Sequence, residues 1–221
     1  MAKQKKRRRI WLIVLAAVLI LLIGLFLWQR ENIMALYRAL TMDSETIAQT
    51  LEEKRNSHHK AREEEYGLQI PVRPASTAEC DDLLNGRKTV AEVKEARGVG
   101  QQEYDESRDG LIKKCMEELY AYKADVMGVL GGYKQEALDQ WKALPKKERT
   151  EAKKASIAGD GMEKCVSYEI TVDGKVTEIL DVYRGKMKAI GEQTKPIDDL
   201  WFYYCDEKEA EKTYYMDQYL K

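Results

Sequence analysis

Four cysteines carry the clearest chemical potential in this sequence of 221 residues. Consecutive cysteines are 35, 50 and 40 residues apart, so the chain lacks the close Cys-x2–4-Cys pair typical of a structural zinc site. An even number of cysteines favours two disulfides in an oxidising compartment. The alternative is four reduced, buried thiols that act as small apolar side chains. These cysteines are Cys80, Cys115, Cys165 and Cys205.

The two histidines, His58 and His59, are adjacent in a polar segment. Neighbouring positions on a helix point about 100° apart, so these side chains do not share a metal ion, and we expect them on a solvated face. Glycine-rich phosphate loops and the serine-hydrolase and zinc-protease motifs are absent from the sequence. We therefore expect no catalytic residue, no metal, no cofactor and no enzymatic activity.

Seven aromatic rings fall between positions 201 and 219. Consecutive helical positions point around the whole helix, so Trp201, Phe202 and Tyr203 cannot all be buried on one face. One interpretation is that Phe202 and Tyr203 pack against earlier helical segments. The other is a binding surface, formed by Trp201, Phe202 and Tyr203, that stacks on glycan or contacts a partner protein.

An apolar run near the N-terminus predicts that the chain is anchored in a membrane, with all the residues above on one side of it. Residues 10–28 carry no charge over 19 residues, which is about 28 Å of helix and matches the hydrocarbon core of a bilayer. Six basic residues precede the run and only two follow it closely, which predicts a cytoplasmic N-terminus and an extracytoplasmic C-terminal domain. The alternative is a cleaved signal peptide, but the run is longer than usual and lacks an Ala-x-Ala end.

The charge balance constrains the partners. The chain has 37 basic and 38 acidic residues, and six basic but no acidic residues lie in positions 1–9. The remaining 31 basic residues leave residues 29–221 with a net charge of −7. Because an acidic surface repels phosphate backbones, we expect no nucleic-acid partner.

Periodicity and caps predict a mostly α protein. Residues 1–9 form a basic tail, 10–28 a transmembrane anchor, and 29–66 a stalk helix that restarts near Asp43-Ser44. Residues 67–104 contain a proline-bearing loop and a small helical hairpin with two capping-box sequences. Residues 105–221 are predicted as an antiparallel three-helix bundle, with breaks at Pro145 and Gly191.

Residues 165–180 allow two interpretations. Val166, Tyr168, Ile170 and Val172 alternate with polar residues before Asp173-Gly174, which is typical of a β-hairpin. The following segment, through residue 190, keeps the period of a helix. We favour a continuous helix with a weak turn at Asp173-Gly174.

The bundle geometry predicts the disulfide pairing. In an antiparallel bundle, residues at equal distances from the connection between two helices lie at the same level. Counting back from Cys205 through the connections near residues 194 and 147 places it level with about residue 111, close to Cys115. Cys165 is level with about residue 129, nearly 20 Å from Cys115 along the axis. The sequence therefore predicts Cys115–Cys205, and Cys80–Cys165 by remainder.

Two segments carry a family resemblance: residues 143–150, Ala-Leu-Pro-Lys-Lys-Glu-Arg-Thr, and residues 207–216, Glu-Lys-Glu-Ala-Glu-Lys-Thr-Tyr-Tyr-Met. Over about residues 111–220 the chain resembles uncharacterised, N-terminally anchored helical envelope proteins of Gram-positive anaerobes. The resemblance implies a helical structure through residues 165–190 and implies no activity.

These observations predict a single-pass membrane protein with an extracytoplasmic structural or interaction module and no catalysis. Its expected partners are the lipid bilayer, through residues 10–28, and an envelope protein. The alternative is a glycan-binding protein or an accessory of a cell-wall enzyme that contacts peptidoglycan through its aromatic surface.

The basic flank predicts the topology. A reporter enzyme that is active only outside the cytoplasm, fused after Lys221, should be active, and the mature protein should keep its N-terminus. A soluble chain that begins near residue 29 would contradict the anchor.

Overall fold

The computed structural model describes residues 30–220, and the regular structure of this part of the chain is helical. The predicted tail and transmembrane anchor, residues 1–28, lie outside the described residues. Within residues 30–220, no helix combines the length and apolar character needed to cross a bilayer. The helices are α1 (Arg30–Thr41), α2 (Ser44–Tyr66), α3 (Thr77–Leu84), α4 (Val90–Ala96), α5 (Arg108–Ala143), a 3-10 turn (Lys146–Glu148), α6 (Glu151–Ala189) and α7 (Lys195–Leu220).

The described residues divide into two compact units, 30–51 with 207–220, and 52–206. The first unit has a small apolar core, and Arg38 Nη1 lies 2.6 Å from Glu209 Oε1 beside it. The predicted restart between α1 and α2 is confirmed, because the Asp43 side chain accepts a hydrogen bond from the Thr46 backbone N–H. The core residues are Ile47, Leu51, Ala210 and Tyr214.

The second unit is built on α5 and α6, which run antiparallel. Lys164 of α6 lies 2.6 Å from Glu136 of α5, whereas the Tyr183 hydroxyl donates to Glu118 at 3.0 Å. As the residue number rises on one helix it falls on the other, so the buried stripes of both helices face each other. Their buried apolar residues include Leu111, Ile112, Met116, Val176, Ile179, Leu180 and Met187.

The helix predicted through residues 165–190 is confirmed, and the β-hairpin alternative is wrong. Val172, Val176, Ile179 and Tyr183 are buried at helical spacing, while Ile170 is exposed. A helix, with 3.6 residues per turn, buries all four side chains against α5, whereas a strand would not place them on one face. The free energy of this burial outweighs the local preference for a strand. Helix α6 begins after Thr150, whose side chain accepts a hydrogen bond from the Lys153 backbone N–H, and it continues through residues 159–161.

The small helical hairpin forms with both predicted capping boxes, Ser76/Glu79 for α3 and Thr89/Glu92 for α4. Arg97, which ends α4, donates from Nε to Glu79 Oε2 at 2.6 Å and so joins the two helices. Burial alone would raise the pKa of Glu79, but the hydrogen bonds from Arg97 and Ser76 lower it below its ordinary value.

The segment between α2 and α3, predicted as a loop, contributes to the core. Leu68, Ile70 and Val72 are buried, and the residues between them are exposed. The chain enters this extended segment through Gly67, whose φ of 65° allows the Leu68 N–H to donate to the Glu63 carbonyl. Side chains of this extended segment therefore alternate between the core and solvent, as in a β-strand, although the segment is not assigned to a sheet.

A close backbone approach between α3 and α5 provides a test of this packing. A Cβ on Gly131 would lie 2.6 Å from the Leu83 carbonyl oxygen, whereas a Cβ on Gly132 would meet nothing within 4 Å. We expect Gly131→Ala to destabilise the protein by about 1–3 kcal/mol. Its neighbour Gly132→Ala should stabilise it by roughly 0.5–1 kcal/mol, because glycine weakens a helix.

Urea unfolding of the full-length protein in mild detergent, followed by circular dichroism, measures both changes. Equal effects of the two substitutions would contradict the close α3–α5 approach.

Candidate functional site

The three aromatic candidates of α7 differ in their exposure. Phe202 is 70% exposed, whereas Trp201 and Tyr203 are partly buried against the core of the second unit. The Tyr203 ring lies 4.9 Å from the Arg62 guanidinium and 4.9 Å from the His58 ring. Packing against earlier helices is therefore confirmed for Tyr203 but wrong for Phe202. A continuous surface of three free rings does not form, because two of the rings already have neighbours.

None of the four cysteines forms a disulfide in the structure, which does not support the predicted bridges. The register of the helices explains the result for Cys115 and Cys205. The Tyr204 hydroxyl donates to Asp173, while Tyr183, ten residues further along α6, contacts Glu118 beside Cys115. Ten residues of helix span about 15 Å, which is too far for a disulfide.

The cysteines of the second predicted pair, Cys80 and Cys165, are also not bridged and lie on different helices. The Cys80 Sγ lies 3.7 Å from Arg55 Nη2 on α2, whereas Cys165 lies on α6 next to Lys164, which pairs with Glu136. Burial raises the pKa of the Cys115 and Cys165 thiols. Both are therefore protonated at neutral pH, and a protonated thiol is a poor nucleophile.

The second half of α2 has a buried polar face. Arg55 is 1% exposed, His59 6% and Arg62 4%, and these three residues form what we call the α2 polar seam. Their spacing of four and three residues places them on one face of the helix, in line with the buried Tyr66. The expectation of a solvated histidine face is wrong for His59, because the helical period of burial continues where the apolar period of the sequence stops.

Together, the members of the seam contact α3, α5 and α7 in the second unit. Arg55 Nη1 donates to Thr77 Oγ1 at 2.6 Å, which joins α2 to α3. His59 Nδ1 lies 3.2 Å from the Tyr120 hydroxyl of α5. The Arg62 guanidinium lies over the Tyr120 ring at 5.7 Å, in addition to its Tyr203 contact.

Chemically, the α2 polar seam is a structural network. The Arg55 guanidinium faces a hydroxyl group, a thiol and, at 3.9 Å, the Glu52 carboxylate, whereas the Arg62 guanidinium faces two aromatic rings. Within residues 30–220, no three His, Cys, Asp or Glu side chains form a group that could hold a metal ion.

A second feature lies on the surface of α6. Met162, Val166 and Ile170 are 51%, 36% and 66% exposed and follow each other at steps of four residues. We call this the α6 exposed face. The sequence did not predict this face, because the alternation of apolar and polar residues around Val166 and Ile170 is also typical of a β-hairpin. Exposed apolar side chains in a row mark interaction sites more often than singly scattered ones do.

Beside this face is an open groove of ≈ 620 Å³ between α5 and α6. The Tyr133 and Tyr168 rings meet edge-on there, with centroids 5.9 Å apart. Two carboxylates, Asp160 and Glu163, also line the groove. Aromatic rings with neighbouring carboxylates are groups that contact sugars, so the groove is the second candidate surface.

Comparison of the chain with protein-family models, curated protein sequences and solved structures finds no match. The interpretation of both candidate surfaces therefore rests on their chemistry.

The burial of Arg55 predicts that this side chain contributes to the free energy of unfolding. Arg55→Ala removes the bond to Thr77 and leaves a cavity in the second unit, so we expect a loss of about 2–4 kcal/mol. Lys60→Ala is the control on the same helix. Lys60 is 73% exposed in its pair with Glu64, and we expect its loss to change stability by less than about 0.5 kcal/mol.

Urea unfolding in mild detergent compares the two variants. A change in Arg55→Ala as small as that in Lys60→Ala would show that Arg55 does not hold α2 to the second unit.

Proposed function

We propose that this protein is a membrane-anchored, non-catalytic interaction module. Residues 10–28 hold it in the cell membrane, and residues 29–221 lie on the extracytoplasmic side. The uncharged run and its one-sided basic flank support this placement. The partner is a helix of another envelope protein that lies along α6.

The α6 exposed face is the observation that carries the proposal. It belongs to a longer uncharged row on the same side of α6, which spans about 28 Å at 1.5 Å per residue. A row of that length matches the contact line of one partner helix. The row consists of Ala155, Gly159, Met162, Val166, Ile170 and Gly174, and all six are exposed.

The two glycines of this row support a helical partner. Glycine inside a helix costs about 1 kcal/mol relative to alanine, and a Cβ on Gly159 or Gly174 would meet nothing within 4 Å. Packing within the chain therefore does not require glycine at either position. A partner helix gains from both, because the absence of a side chain lets two backbones approach closely.

Site-specific photocrosslinking in cells tests the proposal. A photoreactive phenylalanine analogue at position 166 should give one discrete protein adduct, and Ile170→Arg should abolish it. Position 182 is the matched control, because Val182 is 52% exposed on α6 but lies about 160° around the helix from Val166. Absence of an adduct at 166, or equal adducts at 166 and 182, would contradict docking on this face.

The groove between α5 and α6 favours a second candidate function, the binding of cell-wall glycan. Under this alternative, the full-length protein sediments with insoluble peptidoglycan, and Tyr133→Ser reduces its retention while Ile170→Arg does not. Phe202→Ser tests the exposed Phe202 ring of α7 in the same assay. No retention of the unmodified protein would exclude the glycan alternative and leave protein docking.

A further inference from the structure

The short helix α1 carries an uncovered apolar face. Ile33, Leu36, Tyr37 and Leu40 are 40%, 41%, 61% and 65% exposed. Their spacing, i, i+3, i+4 and i+7, places them on one side of the helix. The other side is covered, since Ala35 and Ala39 are 0% and 1% exposed. The 12 residues of α1 form a rod about 18 Å long.

The position of α1 in the sequence determines what this face meets. The apolar run ends at Trp28, and α1 begins at Arg30. If residues 10–28 lie in the bilayer, this short connection keeps the N-terminal end of α1 within a few ångströms of the bilayer surface. The anchor keeps the effective concentration of lipid near α1 high. A modest apolar face is therefore enough for stable docking.

We propose that α1 lies in the lipid–water interface of the same membrane, with Ile33, Leu36, Tyr37 and Leu40 immersed at the level of the headgroups. This inference rests on the proposed membrane anchor. It adds a second lipid contact, which sets the height and orientation of the first compact unit, residues 30–51 and 207–220, relative to the bilayer.

The chemistry of the face suits an interface. Tyr37 combines an apolar ring with a hydroxyl group, which is the composition enriched where lipid meets water. Arg30 stands at the membrane end of α1, where a cation is attracted to anionic headgroups. Glu31 is the only acidic residue of the helix, and it lies 3.8 Å from Lys212, which reduces its repulsion from the headgroups.

The size of the face argues for lipid over a second copy of the chain. A stable protein interface buries roughly 800 Å² per partner. Four half-exposed side chains on a 12-residue helix offer much less than that. A bilayer needs no matched partner surface and covers each apolar side chain independently, so a small face is enough.

Photocrosslinking to lipid tests the inference. The full-length protein carries a photoreactive phenylalanine analogue at position 40 and is reconstituted in vesicles of phosphatidylcholine and phosphatidylglycerol with a radiolabelled lipid. The control carries the analogue at the exposed position 49, in the same compact unit. Because an interfacial side chain is immersed while an exposed one samples lipid only by collision, we expect about fivefold more lipid adduct at position 40.

The outcomes separate this inference from the anchor. Extraction with alkaline carbonate is measured on the same vesicles. Equal adducts at positions 40 and 49 in protein that resists extraction would overturn the interfacial helix while leaving the anchor intact. A protein–protein adduct at position 40 would overturn it in favour of a second copy. Release by carbonate would overturn the anchor itself, and the inference with it.

Discussion

The burial of cationic side chains along α2 is the constraint on which the second compact unit depends. Removing an arginine from water costs several kcal/mol unless its donors and its flat faces find partners. Arg55 finds Thr77 and Cys80, and Arg62 finds two aromatic rings and the carbonyl of His58. Apart from the His58 carbonyl, these partners come from α3, α5 and α7, so the contacts of the two cations position three helices around residues 52–66.

This constraint also explains where the aromatic residues of α7 point. Tyr203 is oriented by Arg62, His58 and Glu65, to which its hydroxyl donates at 3.3 Å. Tyr204 is oriented by its bond to Asp173. Phe202, by contrast, is 70% exposed. Tyr203 and Tyr204 thus join α7 to α2 and α6.

The sequence predicted much of the architecture because caps and breaks are local signals. Ser76, Thr89, Pro145 and Gly191 each act through their own backbone and nearest neighbours, and each ends or begins a helix as expected. The predicted disulfide pairing depended instead on the register of three long helices. The predicted positions of the connections between them were wrong by a few residues, and Cys115 and Cys205 therefore lie about 15 Å apart along the helix axis.

The candidate sites were harder to predict for a different reason. Periodicity analysis counts apolar side chains, and the buried positions 55, 59 and 62 of α2 carry arginine and histidine. An apolar period likewise does not show whether a side chain is covered, and Met162, Val166 and Ile170 are exposed. Burial depends on what surrounds a helix, so the α2 polar seam and the α6 exposed face became visible only with the tertiary structure.

Hydrogen exchange along α2 is the most direct test of the claim that its polar seam is part of the folded core. Amide protection of the full-length protein should give residues 55–62 an opening free energy within about 1–2 kcal/mol of that of Met116 in α5, because both segments open with the second unit. Exchange of residues 55–62 at the rate of an isolated, solvated helix, with Met116 still protected, would contradict the account.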